Sequence, residues 1–363
     1  MPERTYGFGV VGCGVIGPMH ARVAAALPSA RLVAATDLVA ERAKAYAAEH
    51  GCEPEADLAH LLARDDVDVV SVCTPSGTHA EVGVEAARAG KHLVVEKPID
   101  ISLAAADRLI GAVEAAGVTM TVISQHRFDP GVQQLRELLD SGSLGRLVLG
   151  SSRIKWYRSQ AYYDSGDWRG TWALDGGGAL MNQGVHYTDL LRWCMGPVTE
   201  VTALCATQTH EIEVEDVAIA LLRFASGAVG TLEASTAVFP GLPERLEVSG
   251  TGGSAVVEDG VLVLRELLAE RADVGAYGAK AAGSKPRGSS AAADPRAIGD
   301  APHVSQVADL LAAIDGGRQP LVTGQEARNA LEVVLAVYES ARSGGQPVRL
   351  PLAGATTYEE ANK

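Results

Sequence analysis

The chain carries the run Gly12-Cys13-Gly14-Val15-Ile16-Gly17, a spacing that brings backbone close to a pyrophosphate. The run follows an apolar stretch, Tyr6–Val11, and opens a helical pattern. In that context Gly12 permits a tight turn, Gly14 the close approach of backbone N–H groups, and Gly17 close packing of helix on strand. Val15 and Ile16 share the loop, and the helix N-terminus behind them would face phosphate charge. Asp37 follows Gly17 by 20 residues, at the end of the second strand pattern. A carboxylate there accepts hydrogen bonds from an adenosine ribose diol and repels a 2′-phosphate, which favours NAD over NADP. The bland role for Asp37 is a cap on the helix starting near Val39, and the two roles are compatible.

Two further segments end strong strand patterns: Cys73-Thr74-Pro75-Ser76-Gly77-Thr78-His79 and Glu96-Lys97-Pro98. In an open parallel sheet, ligands bind beyond the carboxyl ends of the strands. The glycine run, Asp37, Thr74-Pro75 and Lys97 therefore converge on one edge. Lysine is usually a solvated surface residue, but a strand end on the cofactor edge argues for a role in the site.

A third group follows the triple glycine Gly176 to Gly178. Asn182, His186 and Asp189 stand at i, i+4 and i+7 of a helical pattern and share a face among Leu180, Met181, Val185, Leu190 and Leu191. His186 is read either as a wall of the site or as a core histidine held by Asp189 one turn on. Upstream lie Arg153, Lys155, Trp156, Tyr157, Arg158 and Trp168-Arg169-Gly170-Thr171-Trp172. Such a density of basic and aromatic side chains suits sugar rings and carboxylates or phosphates, or equally a loop tacked down by tryptophans.

The elements that must position these residues change character near residue 123. Before it, strands and helices alternate: Tyr6–Val11, Pro18–Leu27, Arg31–Asp37, Val39–His50, Val67–Thr74, Thr78–Ala89, His92–Glu96, Ser102–Ala116 and Thr119–Ile123. Nearly continuous apolar strands between helices predict a parallel sheet covered on both faces. After it come a helix over Pro130–Ser141, a strand over Arg146–Lys155 and a helix over Ala179–Met195. Repeated strands then run from Val198 to about Leu267, with hairpin turns at Ser226-Gly227 and Asp259-Gly260. Helices over His303–Ile314 and Gly324–Ser343 close the chain. The expected domains are 1–123 and 124–363. Residues 270–300, rich in Ala, Gly, Ser and Pro and carrying Lys280, Lys285, Arg287 and Arg296, read as a flexible surface loop, with a lid over an anionic substrate as the other reading.

Composition supports a folded chain with a large core, since 47% of residues are hydrophobic and 21% charged. A net charge of −14 repels phosphate backbones and anionic lipid, so neither nucleic acid nor a membrane is an expected partner. No apolar run reaches the ~18 residues of a membrane span, and no signal-peptide core opens the chain. Five widely spaced cysteines without a CxxC argue against a disulfide framework or structural zinc, and point to the cytoplasm. No metal is expected.

The glycine run, Cys73-Thr74-Pro75, Glu96-Lys97-Pro98, and Gly176-Gly177-Gly178 through His186 and Asp189 resemble the Gfo/Idh/MocA family of NAD(P)-dependent oxidoreductases, over nearly the whole chain. The resemblance implies an α/β fold: an N-terminal Rossmann dinucleotide-binding domain, then a C-terminal α+β domain on a large, mostly antiparallel open sheet that serves oligomerisation. The strands of the second domain leave a sheet face that its few helical segments cannot cover, which predicts a homodimer or homotetramer. The resemblance also implies hydride transfer between NAD and a ring carbon of a sugar, cyclitol or sugar derivative, with Lys97 and His186 facing the reacting hydroxyl. Many members carry Asp where this chain has Asn182, and an amide orients a hydroxyl but is no base. Trp168-Arg169 is similar to the family's loop beside the nicotinamide.

The expected cofactor set is Gly12, Gly14, Val15, Ile16, Gly17, Asp37, Thr74, Pro75, His79, Glu96, Lys97, Trp168 and Arg169. The expected substrate set is Lys97, Arg127, Lys155, Trp156, Asn182 and His186, with Lys97 and His186 catalytic. Two other readings remain open here: a glycosidase or lyase working by transient oxidation on held NAD, and a non-catalytic sugar or NAD sensor.

Overall fold

A computed structural model describes residues 4–272, 274–275 and 299–352. Six parallel strands build the first sheet: β1 (Tyr6–Val11), β2 (Ala30–Thr36), β3 (Glu53–Pro54), β4 (Val69–Val72), β5 (His92–Val95) and β6 (Met120–Val122). Their order, β3-β2-β1-β4-β5-β6, reverses direction at β1 and β4. That reversal opens a crevice at the carboxyl ends of the two strands. Every residue of β1 and β4 is buried, which is why these strands read as continuous apolar runs. Helices α1 (Gly17–Ala26), α2 (Ala40–His50), α3 (Leu58–Leu62), α4 (His79–Arg88) and α5 (Leu103–Ala116) cover the sheet. Ser102 caps α5 by accepting the Ala105 N–H, and left-handed Gly51 and Gly117 close α2 and α5.

The second sheet has eight strands: β7 (Leu147–Lys155), β8 (Val198–Ala206), β9 (Val217–Phe224), β10 (Val229–Ser235), β11 (Arg245–Gly250), β12 (Gly253–Glu258), β13 (Val261–Leu267) and β14 (Val348–Arg349), ordered β13-β12-β11-β7-β10-β9-β8-β14. All neighbours are antiparallel except β7 and β10. The turn between β12 and β13 holds Asp259 at φ 46° and Gly260 at φ 72°, the twisted two-residue geometry a hairpin favours. The remaining helices are α6 (Pro130–Asp140), α7 (Gln160–Tyr163), α8 (Val185–Met195), α9 (Ala301–Gly316) and α10 (Gly324–Arg342). One sheet face packs on α8 and α10, burying Ala218, Ala220, Leu222 and Phe224 of β9. The alternate residues Ile219, Leu221 and Arg223 are exposed on the other face.

Three features depart from the sequence reading. The short pair β3 and α3 was not expected. The helix expected over Ala179–Met195 opens with a π-helical turn, Leu180–Gly184, before α8. The wider turn lays Gly184 against β10, where a Cβ would come within 2.9 Å of the Ala234 Cβ. Finally, α9 returns to the first sheet rather than staying with the second. Its Val307, Leu310 and Leu311 pack on Tyr6, Phe8, Val69 and Val94, and Tyr6 Oη donates to Asp315 at 2.6 Å. Most of 270–300, with Lys280, Lys285, Arg287 and Arg296, lies outside the described residues.

Candidate active site

The glycine run joins β1 to α1 at the reversal point. Gly12 has φ 97°, and a Cβ there would lie 2.5 Å from the Cys73 carbonyl oxygen, so glycine alone lets this loop meet the end of β4. A Cβ on Gly14 would meet nothing within 4 Å, and the backbone N–H groups of Gly14, Val15 and Ile16 find no protein acceptor among the described residues. Open space and unspent donors at a helix N-terminus fit a pyrophosphate. Asp37 accepts the Cys13 N–H at 2.9 Å and the Val39 N–H at 2.8 Å. It thereby ties two loops together, while each oxygen keeps a lone pair for a ribose hydroxyl. Val39 rather than Asp37 occupies the N-cap position of α2.

His79 is buried beneath the same edge. Its Nδ1 lies 2.7 Å from the Pro98 carbonyl and its Nε2 2.9 Å from that of Thr74, so it holds the two strand-end turns together. Thr78 Oγ1 donates to Pro75 O at 2.8 Å and stands 2.9 Å from Thr74 Oγ1. Glu96 is also buried. It accepts from His20 Nε2 at 2.9 Å and from the Lys97 N–H at 3.2 Å. Burial alone would raise the Glu96 carboxyl, but the His20 contact overrides it and holds the group down at about 2. His20 sits on the buried side of α1 beside Met19, Val23 and Ala24, where the sequence offered only a histidine in an apolar stripe.

Lys97 reaches from the end of β5 into the second domain. Its Nζ donates to the Asn182 carbonyl at 2.9 Å and to Asn182 Oδ1 at 3.2 Å. Burial lowers its proton affinity below the usual lysine range. Glu96 and Asp175 oppose that shift; Arg169 and Arg158 add to it. His186 is 8% exposed and makes no hydrogen bond to protein among the described residues. Burial pushes its proton affinity well below the usual histidine value, and the charges of Lys97, His126 and His303 push the same way. The imidazole is therefore neutral at pH 7 and open to accept a proton. His126 packs edge to face on it, with ring centroids 5.3 Å apart, and its own Nδ1 is 2.7 Å from Asp129 Oδ2. Lys97, His186, Val185 and Pro98 line one small cavity with Ser124 and Asp189.

The Trp168-Arg169 segment lies near enough for the Arg169 charge to act on Lys97. Arg169 lies 4.5 Å from the Tyr162 ring centroid and 4.4 Å from that of Trp168, and donates to Tyr162 Oη at 2.9 Å. The other N–H groups of its guanidinium have no protein acceptor among the described residues.

Several expected residues lie elsewhere. Asp189 does not hold His186. It takes both Arg127 Nε (2.7 Å) and Nη2 (2.6 Å), and Arg127 Nη2 also reaches Glu326 at 2.9 Å. Arg127 is wholly buried by this pairing, so it is not brought to the cleft. Lys155 pairs with Glu233 and Arg153 with Glu247 on the more exposed face of the second sheet, each pair reaching diagonally across the strand register, since Lys155 lies opposite Ser235 and Glu247 opposite Ser151. Trp156 is 4% exposed, in the core, with Arg158 stacked 4.8 Å from its ring.

Two carboxylates escaped the sequence reading. Asp175, 3% exposed, accepts Asn182 Nδ2 and the Gly170 N–H at 3.0 Å each. Glu215 accepts the Gly178 and Leu180 N–H groups at 2.8 Å each, serving the start of the site helix from a distant strand edge. A Cβ on Gly178 would fall 1.7 Å from the Glu215 carbonyl oxygen, so this glycine is fixed by close packing. The sequence signal for Asp175 is a single acid before the triple glycine, and for Glu215 an acidic run of Glu211, Glu213, Glu215 and Asp216 before an apolar strand.

A two-domain fold with a dinucleotide cradle facing a buried lysine and histidine defines a nicotinamide-dependent oxidoreductase, and comparison with known proteins gives its family. Residues 6–124 match the oxidoreductase family with an NAD-binding Rossmann fold, and residues 132–256 match the GFO/IDH/MocA C-terminal domain. The uncharacterized oxidoreductase YrbE of Bacillus subtilis is 32% identical over 69% of this chain and 73% of its own length. Myo-inositol 2-dehydrogenase of Thermotoga maritima is 30% identical over 68% of this chain and 73% of its own. The crystal structure of the WlbA dehydrogenase from Bordetella pertussis, in complex with NADH and UDP-GlcNAcA, superposes with a TM-score of 0.83 at 32% identity, covering 96% of this chain and all (100%) of that one. The chain belongs to the Gfo/Idh/MocA family of oxidoreductases, and its N-terminal third is that family's NAD-binding Rossmann domain.

Proposed function

We propose that the protein is an NAD-dependent dehydrogenase that exchanges hydride between nicotinamide and a ring carbon of a sugar, cyclitol or sugar derivative. The observation that carries this reading is the meeting of Lys97, from the end of β5, with Asn182, four residues before a neutral, unengaged His186.

Gly12, Gly14, Val15, Ile16 and Gly17 would hold the pyrophosphate, and Asp37 the adenosine ribose. NAD supplies the hydride acceptor or donor when bound. His186 takes the proton of the reacting hydroxyl during oxidation and returns it during reduction. Lys97 donates toward the same oxygen and stabilises the negative charge that grows on it toward the transition state. Asn182 orients the lysine and cannot itself act as a base.

We infer further that the substrate carries a carboxylate or phosphate. Lys97 and the uncommitted guanidinium N–H groups of Arg169 support this, as does the UDP-GlcNAcA bound by the WlbA neighbour. The basic residues Arg153 and Lys155 no longer support it, since both pair with the protein's own carboxylates.

The protein assembles, in this reading, through the exposed face of its second sheet. Cross-strand rows there bring Leu149 beside Val229, and Ile219 beside Leu204. All four are at least 44% exposed, a patch normally buried against a second copy. Five free thiols support a reducing, cytoplasmic setting, and among the described residues no helix is long and apolar enough to cross a membrane.

The test is a panel of sugars, cyclitols, sugar acids and sugar nucleotides, read by NADH absorbance. Net NADH with a ring polyol supports the reading. Product without net NADH points to transient oxidation, and turnover of simple aliphatic 2-hydroxy acids alone overturns the ring substrate.

A further inference from the structure

Lys97 has no carboxylate within ion-pair distance among the described residues. Its ammonium is held by two oxygens of one residue, Asn182, one from the backbone and one from the side chain. An amide side chain can turn either end toward a neighbour, and only the oxygen end suits an ammonium. Asp175 decides which end it is. Burial pushes the Asp175 carboxyl up, while its Gly170 and Asn182 donors and the charges of Arg169 and Lys97 act to keep it ionised. As a carboxylate it only accepts, and it takes Asn182 Nδ2 at 3.0 Å, which leaves Oδ1 facing Lys97 at 3.2 Å. Gln183 Nε2 adds a second donor to that oxygen at 3.3 Å.

We propose that Asp175 is the positioning residue of Lys97, fixing the Asn182 amide and keeping the lysine charged across it. The inference rests on the dehydrogenase reading for its consequence in turnover, but not for its physical content.

Two more observations support it. The other oxygen of Asp175 accepts the Gly170 N–H at 3.0 Å, directly after Trp168-Arg169. One buried carboxylate thus touches both the residue that holds the lysine and the loop that carries Arg169. The groups around Lys97 also leave Asp175 a distinct task. Glu96 favours the charged lysine but is engaged by His20, while Arg169 and Arg158 disfavour it, and His186 lies across the cavity. Removing Asp175 removes one of two supports for the ammonium.

The variant Asp175→Asn keeps the shape. Its amide must present an NH2 either to Gly170 N–H or to Asn182 Nδ2, so it breaks the loop contact or turns Asn182 nitrogen-first toward Lys97. Asp175→Glu keeps the charge and serves as the rescue.

The direct readout needs no substrate. The chain has seven lysines. Carbon-13 labelling at lysine Cε, with Lys97→Arg to assign the resonance, follows the Lys97 titration in the free protein. In Asp175→Asn the midpoint falls by about one pH unit. Melting monitored in parallel shows that the variant is folded. With a substrate in hand, kcat falls by about 10- to 100-fold while the NAD dissociation constant changes less than about threefold. The alkaline limb of the kcat profile moves to lower pH, and Asp175→Glu recovers part of both effects. A folded Asp175→Asn with an unmoved Lys97 titration overturns the proposal, even if activity drops. A moved titration in a protein that oxidises no alcohol upholds it and instead removes the dehydrogenase reading.

Discussion

Glu215 and Gly178 meet at the start of the site helix, with the carboxylate accepting the glycine N–H at 2.8 Å in a spot that burial closes to water. Burial pushes the Glu215 carboxyl up to about 7, against its backbone donors at Gly178 and Leu180 and the Tyr338 hydroxyl. The folded value lies above the unfolded one. The stability that protonation adds is therefore full below about 4.5 and is lost as pH rises through about 7. In Glu215→Gln this dependence disappears. The difference in melting temperature between wild type and variant should drift against wild type from pH 5 to pH 8, by the equivalent of up to about 3 kcal/mol. A flat difference would show that Glu215 is ionised throughout.

The position of the Asp37 carboxylate predicts a cofactor preference. Like charges about 4 Å apart repel by up to about 4 kcal/mol at an effective dielectric of about 20, so a 2′-phosphate is disfavoured there. The expected result is a higher kcat/KM with NAD than with NADP, and a gap narrowed by about tenfold or more in Asp37→Ser. Because Asp37 also accepts the Cys13 and Val39 N–H groups, that variant should lose some thermal stability as well. A wild-type preference for NADP would refute the assignment.

The exposed face of the second sheet predicts an oligomer. Leu221 is 59% exposed at the centre of that face, opposite Thr231 of β10 and Thr202 of β8. Light scattering at micromolar concentration should give a dimer or tetramer, and Leu221→Glu should shift it toward monomer without unfolding. A wild-type monomer would mean that the patch serves something else.

The cofactor half of the site was legible because its signals are local. Gly12 to Gly17, Asp37 and Lys97 each sit at the end of a strand whose apolar run marks it, and parallel topology then sends all of them to one edge. The substrate half depended on distant pairings that periodicity cannot show. The stripe of Asn182, His186 and Asp189 assumes an unbroken helix, and the π-helical turn over Leu180–Gly184 alters that register. Asp189 turned to Arg127, whose partner Glu326 lies 199 residues further along. Asp175 meets Lys97 only through Asn182, and Lys97 arrives from the other domain, a pairing the linear sequence does not display. Lys155 read as a site cation because its carboxylate partner is on a neighbouring strand, out of sight in the linear sequence.

The last prediction concerns the proton and the developing charge. A hydroxyl proton must go to a group that is neutral and within reach, and His186 is held neutral by burial and by its cationic neighbours. Its lowered proton affinity means that the acid limb of kcat/KM lies below the ordinary histidine range, since activity is lost only once the imidazole charges. His186→Ala should lower kcat roughly 10²- to 10⁴-fold and leave NAD affinity nearly unchanged. The same split is expected for Lys97→Ala, whose ammonium acts on charge that appears mainly in the transition state. Both variants need turnover and NAD binding measured separately, by NADH absorbance and by calorimetry. A His186→Ala protein with near-normal kcat would make His186 a packing residue beside His126 and move the base elsewhere, with neutral Lys97 the remaining candidate. If Lys97→Ala is active as well, neither side chain carries the reaction and the proposed chemistry fails.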